Sequence, residues 1–311
     1  MSQFGNFHDF CRDSTLPVCN LFLERSGTQY GGGIDKSCAL VGFAAGGGRV
    51  RNLGSIVACA VAVIVAGLLI WLSERKKAAV GRREMQIFLV AYAIVSIAEI
   101  FSVGGFLTDR KKLVWFSAIH IGAIAAACWI LLINAIVGYQ LMDDGTPLSN
   151  GLTAGSGLVV FIGVAYVAVD TGFNYSGEFE INDDNLRNYA LYVLYLLFPL
   201  LLLVAFFILE SVLVLGVLRE TRPMVLLTIS ALLFIISQIF NFVISVHLCT
   251  ATNGKIDGAL FETLFVLLAV IALWFFWSSI TEDEWPDDNY TSGTTPLPST
   301  IGGGAGERAY A

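Results

Sequence analysis

Six cysteines and a few isolated polar residues carry the chemistry open to this 311-residue chain. Cys11 and Cys19 stand eight residues apart in FCRDSTLPVCNLF, with Pro17 just before the second. Cys38 follows, and Cys249 lies far downstream. Such thiols form disulfides in an oxidising space, bind a metal, or stay reduced in a cytosol. Metal binding fits poorly. Structural zinc uses cysteine pairs with two to four residues between them, the spacing here is longer, and His8 is the one imidazole nearby. No metal site is expected.

The second set is Glu99, His120, Asn134, Glu210, Gln238, Asn241 and Glu262, which lie within or at the ends of long apolar runs. A charge inside a bilayer costs several kcal/mol unless it is paired or wetted, so each is a candidate functional residue. His120 is placed to pair with Glu99. Gln238 and Asn241 are three apart and share one helix face. Glu210 and Glu262 are close enough to span ends to reach the interface. Hydrogen bonds between membrane helices are worth only ~0.6–2 kcal/mol, so this set suits helix contacts, within the bundle or with another protein. It forms no regular row that would make an ion path. No phosphate-binding G-x-x-x-x-G-K-[ST], no H-E-x-x-H and no G-x-S-x-G occurs. The triple glycines at 31–33, 46–48 and 302–304 read as turns or linkers. No catalytic residues and no cofactor are expected.

The elements that must position these residues follow from composition. The chain is 56% hydrophobic and 14% charged, against about 25% charged for a soluble domain. A bilayer core needs ~20 apolar residues per helix. Seven runs qualify: Leu53–Leu72, Gln86–Leu107, Leu113–Leu141, Leu152–Val169, Tyr189–Leu209, Met224–Leu248 and Gly258–Ile280. The fold class is therefore an all-α polytopic membrane protein with seven transmembrane helices. A cysteine-bearing segment, 1–52, precedes the seven-helix domain, 53–280. An acidic tail, 281–311, follows it and is too polar to fold. The start of the chain does not read as a cleavable signal peptide. The net charge is −7, and no basic block suits nucleic acid. Pro199 should kink the fifth span. Gly151 and Gly155, with Gly122, Ala123, Ala126 and Ala127, offer small faces for helix contact. Tyr189, Tyr192 and Tyr195, like Trp274 and Trp277, read as interfacial aromatic belts.

Orientation is set better by cysteines than by charge. With the N-terminus outside, seven Lys and Arg near helix ends fall on each side, and only the cluster Arg75–Arg83 favours that arrangement. Seven spans place the leader and the loop after the sixth span on one side. Cys11, Cys19, Cys38 and Cys249 then share a compartment and read as disulfide candidates in an oxidising lumen. Four cysteines allow three pairings, and the sequence does not choose among them. Cys59 and Cys128 fall inside spans as small apolar residues. Of two glycosylation sequons, at Asn174 and Asn289, a lumenal leader selects Asn174.

The residues also carry a resemblance. FGNFHDFCRDSTLPVCNLF, CALVG at Cys38–Gly42 and GGGRVRNLGSIVACAVAVIVAGLL resemble the N-terminal signature of the fungal chitin synthase export chaperone family, and the likeness runs from about Phe4 to Ile280. It implies a multi-pass protein of the endoplasmic reticulum membrane with a lumenal N-terminus and a cytosolic tail. Such a protein would help a chitin synthase catalytic subunit fold and reach the cell surface, supporting cell-wall chitin synthesis. Its partners would be that client and the lipid bilayer, with self-association left open. The chain is not the synthase, since it has no Arg–Trp pair, no D-x-D and no large soluble stretch. The alternative is a seven-helix receptor or small-solute transporter. Against it, the loops are short, MDDGTPLSNG lacks a basic residue, and no internal repeat stands out.

Overall fold

The computed structural model describes residues 4–22, 38, 40–45, 48–77, 79–140, 145–179 and 186–281. The acidic tail beyond residue 281 with its sequon at Asn289, the glycines at 31–33 and 302–304, and the expected end of the third span at Leu141 lie outside them. The chain opens with a short helix, α1 (His8–Asp13), a 3-10 turn at Pro17–Phe22, and an antiparallel hairpin of β1 (Phe43–Ala45) and β2 (Gly48–Val50). Seven helices long and apolar enough to cross a membrane follow: α2 (Leu53–Arg75), α3 (Arg82–Val103), α4 (Arg110–Gly138), α5 (Pro147–Phe173), α6 (Tyr189–Leu218), α7 (Arg222–Ala251) and α8 (Gly258–Ile280). This is the all-α, seven-span architecture expected from the sequence.

The helices extend past the apolar runs because polar end residues find local partners. Arg75 closes α2 with its guanidinium 3.8 Å from the Trp71 ring. Asp109 caps α4 by accepting from the Lys111 amide at 3.0 Å. Thr146 caps α5, with Pro147 in the first turn where its missing N–H costs nothing. The fourth span, expected over Leu152–Val169, is thus a 27-residue helix. In contrast, α3 stops at Val103, short of the expected Leu107, because Gly104 and the left-handed Gly105 turn the chain away. Tyr192–Leu197 of α6 forms a π turn just before Pro199. The wider turn accommodates a residue that cannot donate to the helix ladder. Further π turns lie at Leu213–Leu218 in α6 and Phe240–Ile244 in α7.

Helix α4 is the axis of the bundle, with 61% of its most apolar window buried. It packs against α3, α5 and α6, while α2 lies between α3 and α8, and α7 leans on α8. Small residues set the close approaches. A Cβ on Gly122 would sit 2.9 Å from the Phe161 carbonyl oxygen, and one on Gly157 2.8 Å from Ile130. A Cβ on Gly258 would run into the Phe240 carbonyl oxygen, so α8 starts hard against α7. Of the two uses open to the Gly151–Gly155 pair, packing within the bundle or contact with a partner helix, the first is not realised. Both face outward with nothing near their missing side chains. Trp274 and Trp277, near the end of α8, turn inward and are buried against the bundle. Their indole N–H groups need acceptors, and they donate to Ser73 Oγ at 2.8 Å and the Val80 carbonyl at 3.0 Å, closing the end of the bundle distant from the leader.

The leader is part of the fold. Phe7, Leu16, Val18, Leu21 and Phe22 are buried in a core shared with Val114, Ile121, Val164 and Leu191 of α4, α5 and α6. Cys11 is bonded to Cys19, with Cα atoms 5.5 Å apart. Cys38 is bonded to Cys249, at 6.1 Å, tying the leader to the end of α7. Cys59 and Cys128 are free. A disulfide stabilises by ~2–4 kcal/mol, largely by restricting the unfolded chain. Denatured, unreduced protein should therefore take up two maleimides by mass spectrometry and reduced protein six. Six in both states would refute the pairing.

Candidate functional site

At the leader end, the polar residues of five spans and the leader converge. Asn52 precedes α2 and caps it by accepting from the Ser55 amide. Its side-chain amide donates to both carboxylate oxygens of Asp257, each at 3.1 Å, and its backbone N–H to the Gly104 carbonyl at 3.2 Å. The Thr15 hydroxyl reaches the same carboxylate at 2.8 Å. One fully buried carboxylate therefore joins the leader, α2 and the start of α8. About one turn deeper, Glu99 Oε1 of α3 accepts from Ser55 Oγ of α2 at 3.2 Å and Thr263 Oγ1 of α8 at 2.6 Å. Glu262 on α8 lies within electrostatic reach of Glu99, Asp257 and the side chain of Asn241 on α7. Tyr195 on α6 lies within electrostatic reach of Glu99 and Glu262. The α6 π turn carries Tyr195 and the α7 π turn carries Asn241; such turns often mark functional positions.

The structure brings Glu99, Asn241 and Glu262 together and separates the other expected residues. His120 does not pair with Glu99. Its Nδ1 is 2.8 Å from Ser102 Oγ, in a second group where the Asn20 amide donates to the Ser102 carbonyl and to Ser117 Oγ. Gln238 keeps its amide on its own helix, donating to Ser237 Oγ at 3.0 Å, while Asn241 is 98% buried beside Glu262. The π turn that begins at Phe240 lies between them and resets the helical phase the three-residue spacing assumed. Asn134 lies at the opposite end, its Oδ1 against Gly81. Glu210 is buried within the bundle, with Oε2 unpartnered. Tyr192 faces the leader, its ring 4.8 Å from Phe4 and 5.8 Å from Phe7. The glycosylation candidate Asn174 is the left-handed cap of α5, and Ser176 of its sequon is bound by Asp170 through both N–H and hydroxyl at 2.8 Å.

Sequence reasoning passed over Asp257, Asn52 and Thr15 because each sits outside a span, where a polar residue is unremarked. The signal was there: Asn52 and Asp257 are cap-type residues immediately before the first and last apolar runs. It also passed over Glu84, which lies in the charged island before the second span. Glu84 is fully buried and accepts from Ser149 Oγ at 2.6 Å and the Gly145 amide at 3.3 Å. Among the described residues no cluster of three or more His, Cys, Asp or Glu has a metal-binding arrangement.

Residues 3–290 match the family model described as chitin synthase export chaperone. The chain is 28% identical to the chitin synthase export chaperone of Cryptococcus neoformans var. neoformans serotype D, over 91% of this chain and 76% of that protein. It is 28% identical to that of Coccidioides immitis, over 91% and 84%, and 27% identical to that of Neurospora crassa, over 91% and 78%. No solved structure matches it.

Asp257 lies just outside its span, and its environment sets a pH dependence. Burial raises its carboxyl above the usual range, while the hydrogen bonds from Thr15 and Asn52 work the other way. Folding thus favours the protonated form. This contribution is present below the unfolded carboxylate pKa and is lost as pH rises through the higher folded value. In detergent, the melting temperature of the wild type should fall relative to that of Asp257→Asn as pH rises from about 4 to about 8. Parallel curves would show that Asp257 contributes nothing to the pH dependence.

Proposed function

We infer the function from one premise: the chain belongs to the chitin synthase export chaperone family. We propose that it is a non-catalytic membrane chaperone that helps a chitin synthase fold in, and leave, the endoplasmic reticulum. The observation that carries this reading is the extent of the family match, which takes in the cysteine leader and all seven spans. The client follows from the name shared by the relatives. The mode follows from the side chains. The carboxylates of Glu99 and Glu84 meet hydroxyls of neighbouring helices, an arrangement suited to holding helices rather than to transforming a substrate. A polytopic client exposes similar groups before it is assembled, and lipid cannot satisfy them.

We place the leader in the lumen and the tail in the cytosol. Two disulfides at the leader end support this, since such bonds persist in oxidising compartments and are rare in the cytosol. Residence in the endoplasmic reticulum rests on the family alone.

Deleting the protein should leave the synthase made but retained in the reticulum, with wall chitin reduced, and restoring this chain should release it. Normal surface delivery of the synthase, with loss of a ligand response or of solute uptake instead, would favour a receptor or transporter. Topology has its own test in glycosidase treatment of the sequon variants. Any glycan should disappear in Asn174→Gln; a glycan that survives there and vanishes in Asn289→Gln would invert the orientation.

A further inference from the structure

The cluster of Glu99, Glu262 and Asn241 sets two carboxyl groups near an amide oxygen that has no partner. Ser55 and Thr263, the hydroxyls beside Glu99, both already donate to its Oε1. Among the described residues neither Glu99 nor Glu262 takes part in an ion pair. Asn241 is 98% buried, interacts with Glu262, and leaves its Oδ1 without a partner. A protonated carboxyl supplies one donor to such a set; a group that donates several hydrogen bonds, most favourably a cation, completes the carboxylates and the amide oxygen together.

Contact between α6 and α7 is thin near the leader. Helix α7 is the least enclosed span, with 17% of its most apolar window buried, and is held chiefly by α8. The leader-end part of α6 packs on α4, and α6 meets α7 mainly through Phe198–Val212 and Leu213–Leu218, towards their connection. Farther along that side, Leu215, Thr221, Met224, Val225, Thr228 and Ile229 line a shallow groove between the two helices. At the leader end the seam is bridged from above. Phe7 packs on Tyr192 of α6, and Phe10 on Phe242 of α7 at 5.6 Å, within a leader stapled by Cys11–Cys19. A partner therefore approaches from the side, through lipid. Glu262 lies four residues into α8, or ~6 Å from its start, a depth that the side chain of a membrane-embedded helix reaches directly.

We propose that the seam between α6 and α7 receives a transmembrane helix of the client, and that Glu262, Glu99 and Asn241 hold a Lys or Arg side chain of that helix near the lumenal face. This rests on the chaperone reading above and specifies its contact. A basic residue unpartnered in lipid is costly, so this site would hold the client until its own subunit or domain contacts replace the chaperone.

The test uses the full chain co-expressed with a chitin synthase and purified in mild detergent. Glu262→Gln removes the charge at nearly constant shape, and Asn241→Leu removes the free acceptor. Each should lower co-purified synthase about 3- to 30-fold, the range for an interhelical polar contact, while the variant keeps its melting temperature. In parallel, each intramembrane Lys and Arg of the synthase is changed to Leu against the wild-type chain. One of these should give the same loss and no further loss when combined with Glu262→Gln, as expected for a coupled pair. The client-side series leaves this chain intact and so decides the matter even if a site variant unfolds. If the synthase co-purifies and no client substitution reduces it, this site is wrong and the chaperone reading stands. If the synthase does not associate with the wild-type chain at all, the chaperone reading itself fails.

Discussion

Inside a bilayer, a carboxyl or amide that finds no partner within the protein finds none in the solvent either. That constraint explains the tertiary structure better than apolar packing does, because lipid is as greasy as leucine and gives helices little reason to associate. The helices of this protein are joined where polar groups need one another. Asp257 draws together the leader, the cap of α2 and the start of α8. Glu99 draws α2 and α8 onto α3. Glu84 ties α3 to the first turn of α5, and two buried tryptophans donate into the far end of α2 and the loop after it.

Close approach of backbones is the other requirement, and it is met unevenly. Gly122 and Gly157 let α4 and α5 lie against each other, and Gly258 seats α8 on α7. On the opposite flank, α6 and α7 carry three π turns and share little contact near the leader. A π turn widens the helix and offsets its register, which re-aims side chains at the cost of regular packing. The same bundle therefore has a rigid side centred on α4 and a loosely closed side at α6 and α7. A chaperone must bind and release, and a seam with incomplete hydrogen bonding is a physically reasonable place for both.

The leader changes meaning once its contacts are known. Its apolar residues fill the space between α4, α5 and α6, and its disulfides fix one end to itself and the other to α7. It serves as a cover across the leader-end mouth of the bundle. Its cysteines therefore bear on the shape of the proposed client site as well as on stability.

The number of spans, their order and the family were legible in the sequence, because a run of ~20 apolar residues has one stable fate in lipid and the cysteine leader is distinctive. The shared compartment of Cys11, Cys19, Cys38 and Cys249 followed from counting spans; their pairing did not, since spacing along the chain does not fix distance in space. Polar positions such as Glu99 and Glu262 were visible as interruptions of apolar runs. Their partners were not. His120 sits nearer Glu99 along the chain than Ser55 does, yet helix rotation turns it to Ser102 and leaves Ser55 on Glu99. Gly151 and Gly155 have the spacing of a packing motif, but α5 presents Gly157 and Gly172 to α4 instead, because facing is set by the neighbouring surface and not by the motif. Asp257 and Asn52 acquired their importance only when α2 and α8 came side by side. Local sequence determines what each segment must be in a membrane; which polar groups meet depends on rotation and tilt, and those are fixed only when all seven helices pack at once.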